Sequence, residues 1–228
     1  MKKVLIILGR EQLEKDSKLY HELFGDLKIE NLKIKFDPSD RISSLHEKSF
    51  LFFQKYPYLN RYFKKFYLYL HRIIIAFQYR DFRFHYFKLF NPLLTDFEFR
   101  KKIIELYIGK LGNKYEKYIL GRSQGAIIAS QIAEKYSVSK LFCLGYPFKN
   151  PEREEEEYRT FHLKDLKTPT IIFQGLKDEY GNPISIKKYP LSNSIKIHFF
   201  DTDHGFSLPK EDYVLIQSII KQEVMKSH

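Results

Sequence analysis

The stretch Lys117-Tyr118-Ile119-Leu120-Gly121-Arg122-Ser123-Gln124-Gly125-Ala126-Ile127-Ile128 decides how the rest of the chain reads. Its first four residues have the length and apolar character of a short buried strand. Gly121 to Gly125 then spells Gly-x-Ser-x-Gly, and an apolar helical segment follows. A serine on such a turn is held in a strained conformation that lifts its hydroxyl above the sheet. Glycine is required at 121 and 125 because a side chain there would collide with the neighbouring strand or helix. The helix after Ser123 aims its N-terminal N–H groups and positive dipole end at the serine, which suits a developing oxyanion. The pentapeptide alone arises by chance in many chains; the strand before it and the helix after it give it weight.

The 228 residues are enough for one large α/β domain, and at 43% hydrophobic the chain can fill a full core. Cys143 is the only cysteine. That leaves no disulfide framework and no thiolate metal cluster, and a cytoplasmic location is expected. The histidines form no His-x-x-x-His pair. No metal and no cofactor is therefore expected. The opening Met1-Lys2-Lys3 and the apolar run Val4–Leu8 imitate a signal peptide. The run is too short for a secretory core and reads as a first strand. No apolar run approaches membrane-spanning length.

The formal net charge is +11 and is unevenly placed. Residues 41–110 hold 14 Lys/Arg against 5 Asp/Glu, and 20 of the 38 Phe and Tyr residues. Most of the excess charge thus lies in one segment, which marks it as a distinct element.

Around this segment the pattern alternates strand and helix. Val4–Leu8 is a buried strand. Leu19, Tyr20, Leu23, Phe24 and Leu27 mark a helix over Glu14–Asp26. Asn31–Phe36 alternates apolar and charged residues, as a strand near a sheet edge does. A crossover normally takes roughly 25 residues, yet Tyr118 lies far beyond that. Asp96–Leu111 suffices as the crossover helix, which leaves residues 41–95 as an insertion within a single domain spanning 1–228. Phe63, Phe66, Leu70, Ile73 and Phe77 line one face of a helix in that insertion, with Lys64, Lys65 and Arg72 opposite. A helical cap over Ser123 is expected, with the apolar face toward the site. A dimer interface is the other use of such a cap. Further on come a helix at Ala126–Tyr136, strands at Lys140–Leu144, Pro169–Gln174 and Ile195–Phe200, and a last helix from Pro209. The run Glu152–Glu157 reads as a solvated helix start.

Strand–helix alternation predicts a mostly parallel sheet of about six strands covered on both faces. In such a sheet the site lies beyond the carboxyl ends of the strands. Ser123, Asp178 and His204 each stand at a strand end, in the chain order Ser, Asp, His. A serine hydroxyl becomes a good nucleophile when a base takes its proton. His204 is the candidate base, and Asp178 would hold its tautomer and stabilise its cation. Asp201, Asp203 and Glu179 compete for the acid's role by proximity; the strand-end position after Gln174-Gly175 favours Asp178.

Four motifs carry a resemblance: Gly121-Arg122-Ser123-Gln124-Gly125, Gly145-Tyr146-Pro147-Phe148, Gln174-Gly175-Leu176-Lys177-Asp178 and Asp201-Thr202-Asp203-His204. Together they resemble the small α/β-hydrolase family related to dienelactone hydrolases. The resemblance implies an α/β-hydrolase fold with Ser123 as nucleophile, Asp178 as acid and His204 as base. The family's His-Gly-x-Gly after the first strand is Leu8-Gly9-Arg10-Glu11 here. The backbone N–H groups of Arg10 and Gln124 are then the oxyanion-hole candidates. The implied activity is a serine hydrolase acting on a small-molecule carboxylic ester or thioester through an acyl-enzyme. Some relatives act in complexes rather than as enzymes. The alternative is therefore an interaction protein whose basic, aromatic insertion binds a membrane surface or another polyanion. No nucleic-acid motif is present, so nucleic acid is the weaker candidate partner.

Overall fold

The computed structural model describes residues 2–9, 13, 17–25, 29–39, 55, 56, 58, 66, 73 and 96–226. Their elements, in order, are β1 (Lys2–Leu8), α1 (Lys18–Phe24), β2 (Leu32–Phe36), α2 (Asp96–Leu111), β3 (Tyr115–Arg122), α3 (Gln124–Ile132) and β4 (Lys140–Leu144). After these come β5 (Thr170–Gly175), the short α4 (Pro183–Ile186), β6 (Ile195–Phe200) and α5 (Lys210–Met225). Three 3₁₀ turns complete the set: Gly112–Lys114, Glu157–Arg159 and Phe161–Lys164.

The six strands form one sheet in the order β2-β1-β3-β4-β5-β6, and every neighbouring pair is parallel. Parallel strands are buried on both faces and need crossovers. β1, β4 and β5 are accordingly almost continuous apolar runs, whereas β2, at the edge, alternates apolar and lysine residues. Period-two alternation gives each face its own core. Leu5, Ile7, Tyr118, Leu120, Phe142, Leu144 and Phe173 pack with Leu23 and Phe24 of α1 and with Tyr213, Ile216, Ile220 and Val224 of α5. The opposite set, among them Ile6, Leu8, Ile119, Leu141 and Cys143, is equally buried. α3 packs over β1, β3 and β4, so it covers this second face. The sheet is thus sandwiched by helices, as the strand–helix alternation predicts. The apolar stripe read for the last helix, Tyr213, Ile216, Ile220 and Val224, is buried along its whole length.

The chain after β1 crosses to β2 on one side, and the later strands build outward on the other. The strand order therefore reverses between β1 and β3, and the carboxyl ends of those two strands border the crevice where such sheets bind ligands.

The chain divides into two compact units, residues 1–37 with 111–228, which contain the sheet, and residues 38–110. Within the second unit, Arg100 Nε donates to Ser39 Oγ at 3.3 Å, and Ile103, Ile104 and Ile108 of α2 are buried. Most of the insertion at 41–95, with Phe63, Leu70 and Phe77, lies outside the described residues. So does the expected cap over Ser123. Phe66, expected to face inward, is 65% exposed, and Ile73 is half-buried. At helical period these two stand at one rim of the apolar stripe, where exposure is least constrained.

Two local readings change. α3 starts at Gln124 rather than Ala126, because Ser123 is its cap residue, and it ends at Ile132 in a run of turns. Glu152–Glu157 does not begin an α-helix. Like charges at helical spacing repel, and the run instead forms turns whose acids find basic partners. Glu156 pairs with Arg159 at 2.6 Å, and Glu155 pairs with Lys188. Among the described residues no helix is long and apolar enough to cross a membrane.

The carboxyl of Glu223 near the end of α5 is held below its ordinary range, first by Lys140 at the start of β4 and then by Lys226 at 2.6 Å. A lowered folded-state pKa stabilises the fold above the ordinary value of 4.5, and that contribution fades as the pH falls through the lowered one. Glu223→Gln should cost about 1 kcal/mol at neutral pH. In chemical denaturation its deficit against wild type should shrink stepwise below pH 4.5; a deficit independent of pH would refute the linkage.

Candidate active site

The site is assembled at the carboxyl end of the sheet by three loops. Ser123 follows β3 and has φ 51 and ψ −121, an uncommon conformation for a residue with a side chain. Its backbone N–H donates to Leu144 O at 3.2 Å, and its carbonyl accepts from Ala126 N at 2.8 Å. The turn closes this tightly because its glycines lack side chains. A Cβ on Gly125 would overlap the carbonyl oxygen of Leu8, and one on Gly121 would meet Ala126 Cα at 2.5 Å. The exit of β1 is equally close: a Cβ on Gly9 would come within 3.0 Å of Arg122 Cβ.

Asp178 follows β5 and is fully buried, and His204 follows β6 with its side chain 17% exposed. Ser123 Oγ and His204 Nε2 are 3.1 Å apart, and His204 Nδ1 lies 2.9 Å from Asp178 Oδ2 and 3.1 Å from Oδ1. A carboxylate only accepts, so Nδ1 is the donor in that bond, and in a neutral imidazole so held Nε2 is the acceptor facing the serine. The ring of Tyr180 sits 4.4 Å from the imidazole.

The three residues expected from strand-end position thus stand together in one chain of hydrogen bonds. The competing acids do not reach the imidazole. Asp201 pairs with Lys177 at 2.6 Å, Asp203 Oδ1 accepts from Gly205 N at 2.7 Å, and Glu179 is exposed. Gln124 is the first residue of α3, beside Ser123, whereas Arg10 lies outside the described residues. Cys143 is buried in β4, and burial pushes its thiol up to about 12.

Two supporting side chains were not singled out from the sequence. Gln174, fully buried in β5, donates from Nε2 to Asp178 Oδ2 and to Gly181 O, both at 2.8 Å, and its Oε1 accepts from Tyr146 N at 2.8 Å. Tyr180 N donates to Asp178 Oδ1 at 2.9 Å. The buried carboxylate is therefore met by donors on both oxygens, as a buried charge requires. A polar amide inside the apolar run Thr170–Gly175 was the available signal. Arg122 is the other, and its signal was a charged residue at the end of a buried strand.

A family model described as the alpha/beta hydrolase domain matches residues 93–228. The chain belongs to the alpha/beta hydrolase family. A solved structure from Xanthomonas campestris pv. campestris, assigned to the alpha/beta hydrolase superfamily, is similar over 96% of this chain and 98% of that one, with 13% identity and a TM-score of 0.55. A likeness at that identity concerns the fold alone. An alpha-beta serine hydrolase homologue from Coxiella burnetii matches 57% of this chain and 60% of its own length, at 13% identity and a TM-score of 0.42. An a/b serine hydrolase without lid, also from Xanthomonas campestris, matches 59% of this chain and 62% of its own, at 14% and 0.41. A search of curated proteins gave no match.

Gln174→Leu keeps the volume but strands the buried Tyr146 N–H and the Gly181 carbonyl, and takes one of two donors from Asp178 Oδ2, which keeps His204 Nδ1. It should destabilise the protein by about 3 kcal/mol in chemical denaturation. A cost below about 1 kcal/mol would mean that these groups find other partners.

Proposed function

We propose that this alpha/beta hydrolase cleaves a carboxylic ester or thioester of a small molecule through an acyl-enzyme on Ser123. The observation that carries this is the continuous hydrogen-bond chain from Ser123 Oγ through His204 to Asp178. Ser123 Oγ attacks the carbonyl carbon while His204 Nε2 takes its proton, and the carbonyl oxygen becomes an oxyanion. The first N–H groups of α3 stand on the serine's side of the turn. That of Gln124 is the natural donor to the oxyanion, with that of Arg10 as the second. The imidazolium then protonates the departing alkoxide or thiolate as its bond to carbon breaks. Water, deprotonated by Nε2, attacks the acyl-enzyme; the acid leaves and Ser123 regains its proton. Asp178 keeps the Nδ1 proton in place and faces the cation in both half-reactions. Within the family, Gly145-Tyr146-Pro147-Phe148 supports a placement near relatives of dienelactone hydrolases.

A fluorophosphonate should label the wild type and fail on Ser123→Ala. With p-nitrophenyl esters, Asp178→Asn should lower kcat on the order of 10⁴-fold, because the amide favours the wrong tautomer. A wild type that neither labels nor turns over esters or thioesters would overturn the proposal and leave a binding protein on a hydrolase scaffold.

A further inference from the structure

Ser123 and His204 must meet across the sheet. The serine follows β3 and the histidine follows β6, three strands away. At about 4.8 Å per strand this separation is roughly 14 Å. The His204 loop is anchored on its own side. Lys177 N donates to Thr202 O at 3.0 Å, Thr202 Oγ1 donates to Ser207 O at 3.3 Å, and Lys177 pairs with Asp201. Those anchors belong to the loops that follow β5 and β6, and none of them fixes the His204 loop against the nucleophile's strand.

Arg122 does. It is the last residue of β3, immediately before Ser123, and is buried. Its Nη2 donates to the backbone carbonyl of His204, and its Nη1 donates to Leu144 O at 3.1 Å. Leu144 O also accepts from Ser123 N, so one carbonyl at the end of β4 is shared by nucleophile and guanidinium. The guanidinium lies 5.3 Å from the centre of the Phe206 ring, just past His204. It reaches across the position of Gly145, which has φ +58. A Cβ there would run into Arg122 Nη1, so glycine serves both the backbone conformation and the passage of the side chain. A planar fork with fixed donor directions suits the fixing of two carbonyls better than a flexible ammonium does.

We propose that Arg122 is a positioning residue, which holds the His204 loop against the nucleophile strand and so sets the Ser123 Oγ to His204 Nε2 distance. This deepens the hydrolase assignment and, for its kinetic effect, rests on it. Arg122 does not touch the reacting atoms. Asp178 is held separately, by Gln174 Nε2 and Tyr180 N.

The test compares wild type with Arg122→Met, Arg122→Lys and Gly145→Ala, the last displacing the guanidinium while leaving it in the chain. Hydrogen exchange gives a readout independent of turnover. In Arg122→Met, amides of residues 202–206 should exchange about tenfold faster or more, while those of 174–181 keep their protection. In an active wild-type background, kcat on p-nitrophenyl esters and the rate of fluorophosphonate labelling should fall about 100-fold, the effect of a misplacement near 1 Å, with KM within twofold. Arg122→Lys should recover part of both losses, since an ammonium still donates to one carbonyl, and Gly145→Ala should show them in milder form. Unchanged exchange at 202–206 in a folded variant overturns the proposal whether or not the protein is a hydrolase. Uniformly faster exchange, with KM and kcat drifting together, overturns it in favour of general destabilisation. If Arg122→Met does not fold, Arg122→Lys and Gly145→Ala decide on the same criteria. Inactivity of the wild type would refute the hydrolase assignment alone.

Discussion

The close approach of the α3 backbone to the end of β1 is the constraint on which the site depends. Gly125 sits where any Cβ would overlap the Leu8 carbonyl, and Gly121 sits under Ala126. With both glycines pressed inward, the connection between β3 and α3 has one way to turn, and Ser123 takes it at positive φ. A side-chain-bearing residue in such a region costs about 1–3 kcal/mol. Burial of Ala126, Ile127, Ile128, Ala129 and Ile132 offsets that cost, as does the bond from Ser123 N to Leu144 O. The serine is therefore aimed by packing beneath it.

A second constraint is charge in a dry place. Asp178 and Arg122 are both buried, close to Ser123 and His204. Burial lowers the Arg122 guanidinium to about 10, and the negative charges of Asp178, Asp203 and Glu179 act in the opposite sense. At that value it keeps its proton at neutral pH. A buried cation whose N–H groups meet carbonyls, and a buried carboxylate whose oxygens meet an amide, a backbone N–H and the imidazole, satisfy the requirement that buried charge be compensated. The same bonds fix geometry, which is why loss of either group should be felt in rate as well as in stability.

Much of this was legible in the residues because it rests on short-range pattern. Continuous apolar runs gave β1, β4 and β5, alternation gave the edge strand β2, and the period of Tyr213, Ile216, Ile220 and Val224 gave the buried face of α5. The motif with its flanking strand and helix located Ser123, and strand ends located Asp178 and His204. What was not legible depends on where single polar side chains turn in the folded site. Gln174 bonds to Tyr146, Asp178 and Gly181, and Arg122 reaches His204 over Gly145; no periodicity encodes either. The acidic run 152–157 misled because first-turn acids favour a helix only where their mutual repulsion is relieved, and here Arg159 and Lys188 draw them into turns. The start of α3 was displaced by two residues because Ser123 itself occupies the cap.

The central claim is that Ser123 carries the acyl group. The most direct measurement is acid quenching of the protein during turnover of an activated ester, followed by peptide mass mapping. The account predicts one acyl adduct, on the peptide containing Ser123 and on that residue, which disappears as turnover is completed. An adduct on another residue, or hydrolysis with no covalent adduct at any quench time, would contradict it.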